Sequence, residues 1–460
     1  MKKLKLLIAV FLVFSVLFAA GCQSEKVDES EEYLKVNEKI VEYFYRYYLW
    51  EDMLPGQVTI PSTDPFDFFK ELRSYAPDDE KNKWSVLARS RDEFYASVGN
   101  SGKSFGYSLV FYQFTDMDNE IWAVVQYVHP GTPADNAGIK RGNLISRIDG
   151  EPMTDGGPND FRNLVYADRL TVTVHESIQD ETGREVNIQS VKGYLDPILD
   201  SKIIARGGRK IAYLMYTDYV LDSENDLSAL FGGFKAAGVT DLILDLRYNG
   251  GGYSSTALHI ASLIAPSEVL DGTNIFSQFT YNDVIGSRSV FRYPKKADVP
   301  GNLDLDRVFI LTSRSTASAS EQTIIGLDPY MEVITIGTDS HGKFVGGSVY
   351  PSSSDKNDMY GWGMYLITFW YVNSEGKPGV NTGLAPDYEV KEDWRSYKPI
   401  GDELDPLIAK AINLIAGEPE PESVSPAPPF GAKEIWSSRP GIETGTLIYN
   451  TGTAELFESK

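Results

Sequence analysis

From about residue 202 to residue 416, short apolar runs alternate with amphipathic segments, and this alternation restricts the fold more than any other feature of the chain. Residues 241–246 and 308–311 have the length and apolar character of buried strands. Residues 226–237 are typical of an amphipathic helix, and Gly238 after them suits a helix C-cap. Strands that alternate with helices predict an α/β domain with a substantially parallel sheet.

Two junctions that follow predicted strands contain residues able to do chemistry. Residues 245–252, Asp-Leu-Arg-Tyr-Asn-Gly-Gly-Gly, lack the lysine and the glycine spacing of a phosphate-binding loop. Their glycines would let backbone N–H groups approach a reacting carbonyl, as an oxyanion hole requires. Residues 312–321, Thr-Ser-Arg-Ser-Thr-Ala-Ser-Ala-Ser-Glu, could present a hydroxyl beside the free N–H groups of a helix start, although such stretches are usually ordinary helix caps.

The N-terminal residues 1–22 predict export. A basic start is followed by an apolar stretch and by Ala-Ala-Gly-Cys, which is typical of a secretory signal peptide. Cys22 is the only cysteine, and its position resembles the lipidation site of bacterial lipoproteins, although Ala19 stands where leucine is commoner. The resemblance implies a protein exported to the bacterial cell envelope and attached to a membrane through lipid on Cys22.

Composition sets further limits on partners and organisation. The formal charge of −22 argues against nucleic acid, which requires a basic surface. After the signal peptide we expect five segments: an acidic tether (23–32), a helical region that includes 84–87 (33–100), a β-rich domain (101–190), the α/β domain (200–417) and a Pro/Glu-rich tail (418–460).

Within the β-rich segment, residues 128–150 carry a Pro-Gly-Thr-Pro-Ala turn, then Ala-Gly-Ile and Gly-Asn-Leu-Ile. This stretch is similar to PDZ domains of the bacterial protease type. The resemblance implies a domain that binds an extended peptide at a sheet edge and holds a terminal carboxylate on backbone N–H groups. It places the carboxylate-binding loop at residues 105–109, with Phe105, Gly106 and Tyr107 as the binding residues.

The glycine junction, the serine junction and a Gly-Lys pair at 342–343 occur in an order that resembles peptidase family S41, the tail-specific or carboxyl-terminal processing proteases. Residues 383–387, Gly-Leu-Ala-Pro-Asp, resemble a late motif of that family. The resemblance implies an α/β core of the ClpP/crotonase type together with a mainly β PDZ domain and a small helical N-terminal region.

The same resemblance implies a Ser-Lys dyad. Ser318 matches the nucleophile and Lys343 the general base, which must be neutral to accept a proton. The backbone N–H groups of Ala319 and Gly251 would form the oxyanion hole. No cofactor or metal is implied. The expected substrates are polypeptides with exposed C-termini, cleaved by a serine endopeptidase.

Three features leave alternatives open. Some family members place a glutamine four residues after the lysine, where this chain has Gly347, so a peptide-binding protein without turnover is an alternative. His341 raises the possibility of a Ser-His pair, and an esterase or amidase could use the same serine. Residues 353–356 fit the S-x-x-K pattern of penicillin-binding proteins, but they lack its companion motifs.

Overall fold

The computed structural model describes residues 29–82, 84–92, 102–352, 358–418 and 431–437. The predicted signal peptide with Cys22 and the S-x-x-K segment lie outside these ranges. Across the described ranges, no helix is both long enough and apolar enough to span a bilayer.

The described part of the N-terminal region contains helices, as predicted. Its elements are α1 (Glu29–Tyr47), α2 (Pro65–Ser74), α3 (Pro77–Asn82) and β1 (Val86–Ala88). Helix α1 buries Val36, Ile40 and Phe44, which recur every four residues along one face. It begins inside the segment expected to be a tether, and the acidic residues of its first turn, such as Glu29, favour a helix N-terminus.

The prediction of a helix over residues 84–87 was wrong. Trp84 is buried in a loop, and strand β1 pairs antiparallel with residues 363–365. A short apolar run in a sequence does not distinguish a buried strand from a helix. Here the run forms a strand because it pairs with the sheet edge at residues 363–365.

A second unit corresponds to the predicted PDZ domain. Its elements are β2 (Lys103–Ser104), β3 (Tyr107–Phe114), β4 (Glu120–Val128), α4 (Pro133–Asn136), β5 (Leu144–Ile148), β6 (Glu151–Pro152), α5 (Asn163–Tyr166), β7 (Arg169–His175), β8 (Arg184–Gln189) and β9 (Val191–Lys192). Strands β3, β4, β5, β7 and β8 are neighbours in one antiparallel sheet. Its core includes Leu109, Phe111 and Val172, all fully buried.

The remaining elements follow in chain order. They are β10 (Ile198–Arg206), β11 (Arg209–Tyr216), α6 (Glu224–Ala237), β12 (Asp241–Asp245), α7 (Ser254–Ile264), β13 (Ile275–Tyr281), β14 (Arg288–Arg292), β15 (Arg307–Thr312), α8 (Ala319–Leu327), β16 (Glu332–Gly337), β17 (Val345–Tyr350), β18 (Gly363–Val372), β19 (Tyr388–Glu389), α9 (Pro406–Ala416) and β20 (Ala432–Ser437).

The predicted parallel sheet is confirmed. Strands β11, β12, β15, β16 and β19 are parallel neighbours, and β10 pairs antiparallel with β11 at one edge. Helices α6, α7 and α8 pack on one face and α9 on the other. Helix α9 starts where Asp405 accepts the N–H groups of Leu407 and Ile408, and its buried leucine and isoleucines each contribute about 1.5–3 kcal/mol.

The strands of a second sheet pair antiparallel with one another. Strands β1, β18, β13 and β14 are successive neighbours, and β17 pairs with β18. The loop between β16 and β17 carries Lys343, whereas the turn between β15 and α8 carries Ser318. The two candidate catalytic residues therefore come from loops that lead into different packed layers.

The C-terminal segment, for which the sequence made no secondary-structure assignment, contains a strand. Strand β20 pairs antiparallel with β3 and so joins the sheet of the PDZ unit, whereas the preceding helix α9 packs on the parallel sheet.

Candidate active site

Ser318 is held in a backbone conformation that is rare for a residue with a side chain. It directly precedes α8, and its φ of 61° and ψ of −111° lie outside the regions that L-residues usually occupy. Such a conformation costs roughly 1–3 kcal/mol and persists only where surrounding structure enforces it. The residue is buried, and its Oγ makes no hydrogen bond to any described residue. A strained turn thus carries a hydroxyl that the surrounding structure leaves available.

Glu321 links this turn to the lysine loop. One of its carboxylate oxygens accepts hydrogen bonds from the backbone N–H groups of Ser318 at 2.8 Å and Lys343 at 2.9 Å. The other oxygen accepts from the N–H of Gly342 and from the hydroxyl of Ser340. Burial raises the pKa of the Glu321 carboxyl, and these four donors act in the opposite direction. A single buried side chain therefore fixes both loops.

Tyr371, from β18, makes a second connection between the same two residues. Its hydroxyl lies 3.3 Å from the carbonyl oxygen of Ser318 and 3.1 Å from that of Lys343. The backbones of Ser318 and Lys343 are thereby joined through two shared side chains, one bonding to their N–H groups and the other to their carbonyl groups.

The side chain of Lys343 is fully buried in an aromatic enclosure. Its Nζ lies 5.3 Å from the ring centroid of Tyr365 and 5.9 Å from that of Trp84. The preceding Gly342 has a φ of 96°, and an added Cβ there would lie 2.5 Å from the carbonyl oxygen of Asn381. Only glycine allows the loop to approach Asn381 this closely and turn the lysine inward.

Burial holds the pKa of Lys343 well below its ordinary value, because an ammonium group loses its hydration there. The carboxylates of Asp79 and Glu321 act in the opposite direction but do not offset burial. Asp79 belongs to α3, so the N-terminal region contributes to the electrostatics of the site. A lysine of this kind can be neutral near physiological pH and accept a proton.

The position that carries glutamine in some family members has no room for a side chain. A Cβ on Gly347 would lie 2.2 Å from the carbonyl oxygen of Leu366 and 2.9 Å from the Tyr365 ring. Tyr365 thus contacts Gly347 and also lies against the Lys343 amine. The ring, rather than a glutamine amide, fills the space beside the lysine.

The glycine junction approaches the serine turn closely. Gly251 has a φ of 105°, and a Cβ on it would lie 2.7 Å from the Cβ of Ser318 and 3.0 Å from the nitrogen of Ala319. Its own N–H donates to the side-chain oxygen of Asn249 at 2.8 Å. The predicted oxyanion-hole residues are therefore adjacent, and the Gly251 N–H would have to share or leave its bond to Asn249 in order to bind an oxyanion.

Histidines do not form a triad in the described chain. The His341 ring is partly buried, and this burial is the main cause that lowers its pKa. His175 bonds to the Ser146 hydroxyl inside the PDZ unit, and His259 bonds to Ser228 between α6 and α7. These contacts are structural, and the only histidine close to Ser318 in sequence has no described bond to its hydroxyl.

The predicted carboxylate-binding loop lies at the start of β3. Phe105 is buried, and a Cβ on Gly106 would overlap the side chain of Thr132, 2.1 Å away. The hydroxyl of Tyr107 donates to the carbonyl of Leu164, in α5. The loop is therefore packed between the sheet and the short helices of the PDZ unit.

A buried charge cluster connects the PDZ unit to the glycine junction. Arg141 donates to Tyr248 and to Glu392, and Arg247 donates to Glu392 and to Asp405. Because every member has opposite charges or hydrogen-bonding groups around it, the cluster can be accommodated away from water.

Two stretches of the chain match models of known protein families. Residues 210–390 match the family model of peptidase family S41, and residues 124–175 match that of a PDZ domain. Residues 210–390 form a peptidase family S41 domain. A carboxyl-terminal-processing protease of Picosynechococcus sp. is 24% identical over 301 residues, which cover 65% of this chain and 68% of that protein.

Two further relatives extend the comparison. A carboxy-terminal-processing protease of Bartonella bacilliformis is 25% identical over 60% of each chain. The crystal structure of a putative S41 protease from Bacteroides fragilis is 26% identical, with a TM-score of 0.67 over 82% of this chain and 97% of that one. The fold predicted for the α/β unit is therefore that of an S41 peptidase.

Several residues of the S41 site were not predicted from the sequence. Glu321 could have been found, since a Ser-x-x-Glu sequence at a helix start is the signature of a capping box. Tyr365, Tyr371, Trp84 and Asp79 lie far from Ser318 in sequence, and no motif marks them. Only the packing of the N-terminal region and β18 against the lysine loop reveals them.

Replacing Glu321 tests its role in the S41 site. Glu321→Ala leaves three buried N–H groups without their acceptor, and we expect the free energy of unfolding to fall by roughly 3 kcal/mol or more. Glu321→Gln retains one acceptor oxygen and should cost less. Urea unfolding and kcat/KM measure the two effects. The exposed Glu332→Ala is the matched control and should change stability by less than about 0.5 kcal/mol. An unchanged Glu321→Ala would contradict the assignment.

Proposed function

We propose that the protein is a serine endopeptidase that acts through a Ser318/Lys343 dyad on exported polypeptides. The observation that supports this most strongly is the double connection between the two residues through Glu321 and Tyr371. A serine-rich segment that only caps a helix would not require a buried lysine whose backbone N–H is bound by the same carboxylate, that of Glu321. Because its pKa is low, Lys343 can be neutral and serve as the base that a serine nucleophile requires.

The dyad accounts for each proton in the reaction. Neutral Lys343 takes the proton of the Ser318 hydroxyl as Oγ bonds to the scissile carbonyl carbon. The N–H of Ala319, with one from the glycine junction, stabilises the resulting oxyanion. The lysine ammonium then gives its proton to the leaving amine as the C–N bond breaks. Water hydrolyses the acyl-enzyme by the same steps, with Lys343 again acting first as base.

Binding at the PDZ unit would select the substrate. An extended peptide added to the edge of β3 would run toward Phe105, Gly106 and Tyr107, where backbone N–H groups could hold a terminal carboxylate. Lipid attached to Cys22 would place the enzyme at a membrane of the cell envelope, where exported polypeptides are available.

The proposal can be tested by varying the C-terminus of the substrate. We expect an unfolded protein and a long peptide with a free C-terminus to be cleaved, and the same peptide with an amidated C-terminus to be cleaved at least tenfold more slowly. Mass spectrometry of the products measures both rates. Absence of turnover on every polypeptide would indicate a peptide-binding protein, and hydrolysis of a simple ester alone would indicate an esterase; either result would overturn the proposal.

A further inference from the structure

The edge of the PDZ sheet where a peptide would add is already occupied by the chain itself. Strand β20 pairs antiparallel with β3, and the pairs run from Ala432 opposite Phe114 to Ser437 opposite Val110. The opposite edge of β3 pairs with β4, so β20 takes the one edge of β3 that another strand could use. Its direction is that of a PDZ ligand, since its C-terminal end points toward the loop that precedes Leu109.

A small number of contacts anchor the segment. The Gly431 carbonyl accepts hydrogen bonds from the backbone N–H and the hydroxyl of Thr115, and the Gly431 N–H donates to Asp116. At the other end, the hydroxyl of Ser437 donates to the carbonyl of Leu109. Ile435 packs, partly buried, against the hydrophobic core of the PDZ unit. The segment thus combines backbone pairing with apolar contacts such as that of Ile435, which is how extended peptides bind a sheet edge.

The exposure of the segment distinguishes it from the inner strand β4 of this sheet. Lys433 and Glu434 are exposed, and Ala432 and Ile435 are only partly buried, whereas seven consecutive residues of β4 are buried. None of residues 432–435 is fully buried, so lifting them from the edge exposes little apolar surface and the free energy that holds them is small. A strand attached this weakly can leave the edge without unfolding the sheet beneath it.

A short connection keeps the segment close to its site. Helix α9 ends near Glu418, which pairs with Arg206, and the proline-rich residues 419–430 lead to Gly431. A tether of this length gives an effective concentration on the order of millimolar. An intramolecular ligand at that concentration can occupy a site even when its intrinsic affinity is weak.

We propose that residues 432–437 are an internal ligand of the PDZ unit, and that a polypeptide substrate must displace them from the edge of β3. This inference rests on the proposed function only in treating that edge as the substrate-binding surface. It assigns the C-terminal segment a regulatory role: the enzyme with β20 in place is closed to substrates that dock through the PDZ unit, and a substrate that competes successfully opens it.

Direct binding tests the inference without requiring catalysis. The probe is a fluorescein-labelled peptide with the sequence of residues 430–438, Phe-Gly-Ala-Lys-Glu-Ile-Trp-Ser-Ser, added to the full chain carrying Ser318→Ala. Gly431→Val introduces a side chain where a Cβ would lie 2.0 Å from the Thr115 hydroxyl, and Ile435→Glu removes the apolar anchor. We expect either change to raise the affinity for the probe at least tenfold, because the internal competitor is lost.

Lys433→Ala is the matched control on the same strand, since the side chain is exposed, and its affinity for the probe should equal that of the parent chain. A probe with glutamate in place of its isoleucine should not bind. Hydrogen exchange should show residues 432–437 losing protection when the normal probe binds, while β4 stays protected. Equal probe affinity in the parent and both variants, or no binding to any of them, would overturn the proposal.

The same variants separate this inference from the proposed function. If the PDZ edge is released but the protein is not a peptidase, probe affinity rises and no polypeptide is cleaved. If both proposals hold, Gly431→Val on the Ser318 background also cleaves an unfolded protein faster at low substrate concentration. Faster cleavage with unchanged probe affinity would instead contradict the internal-ligand role.

Discussion

Ser318→Ala is expected to reduce kcat/KM for polypeptide cleavage by about four to six orders of magnitude, the effect of removing a nucleophile whose neighbours act with it as a unit. The protein should remain folded, because the Ser318 hydroxyl makes no hydrogen bond to the described residues. Stopped assays with a fluorogenic peptide measure the loss. Ser315→Ala, in the same turn, is the control and should retain activity within a few-fold.

Ser318→Gly adds a second measurement, the stability of the protein, whose expected result differs from that for a serine with only a structural role. It should be as inactive as the alanine variant, yet more stable than the parent by about 1 kcal/mol, because glycine adopts a positive φ without strain. Thermal unfolding measures the gain. Activity retained in Ser318→Ala would eliminate the mechanism, and a Ser318→Gly variant less stable than the parent would contradict the strain attributed to this turn.

The sequence predicts the framework of this site well because its motifs are local. The strand before Ser318, the helix after it and the glycine junction each lie within a few residues of the chemistry they support, and the structure places Gly251, Ser318 and Ala319 side by side. The parallel sheet follows from the alternation of apolar runs and amphipathic helices. Both kinds of signal depend on short-range periodicity, which a single sequence displays directly.

The environment of Lys343 could not be predicted in the same way. Trp84 and Asp79 come from the N-terminal region and Tyr365 from β18, so their approach to the lysine depends on long-range packing. By its motif, Gly347 stands where a glutamine is missing, whereas the structure shows that the Tyr365 ring occupies the space. Strand β20 was missed for a related reason, because a six-residue segment gains its structure only by pairing with β3.

Lys343→Met is expected to abolish cleavage and to stabilise the protein at the same time. Methionine has a similar length and no charge to desolvate, so we expect the free energy of unfolding at pH 7 to rise by roughly 1–3 kcal/mol. Asp79 keeps the hydroxyl of Tyr48 and the N–H of Ser85 as donors, so removal of the lysine does not leave that carboxylate unbonded. Urea unfolding and kcat/KM measure the two effects. The exposed Lys391→Met is the control, since its ion pair with Glu389 contributes little.

The pH dependence of these two effects has a definite sign. The pKa of Lys343 is lower in the folded protein than in the unfolded chain, so between the two values the unfolded chain binds a proton that the folded protein does not. Stability from this residue therefore rises with pH through that window, and the advantage of Lys343→Met should shrink as pH approaches 10.5. Cleavage by the parent should also rise with pH, because only neutral lysine accepts the proton of Ser318. A stability advantage of Lys343→Met that is independent of pH would show that the lysine is not desolvated. Cleavage that stays constant down to mildly acidic pH would show that Lys343 does not serve as the base.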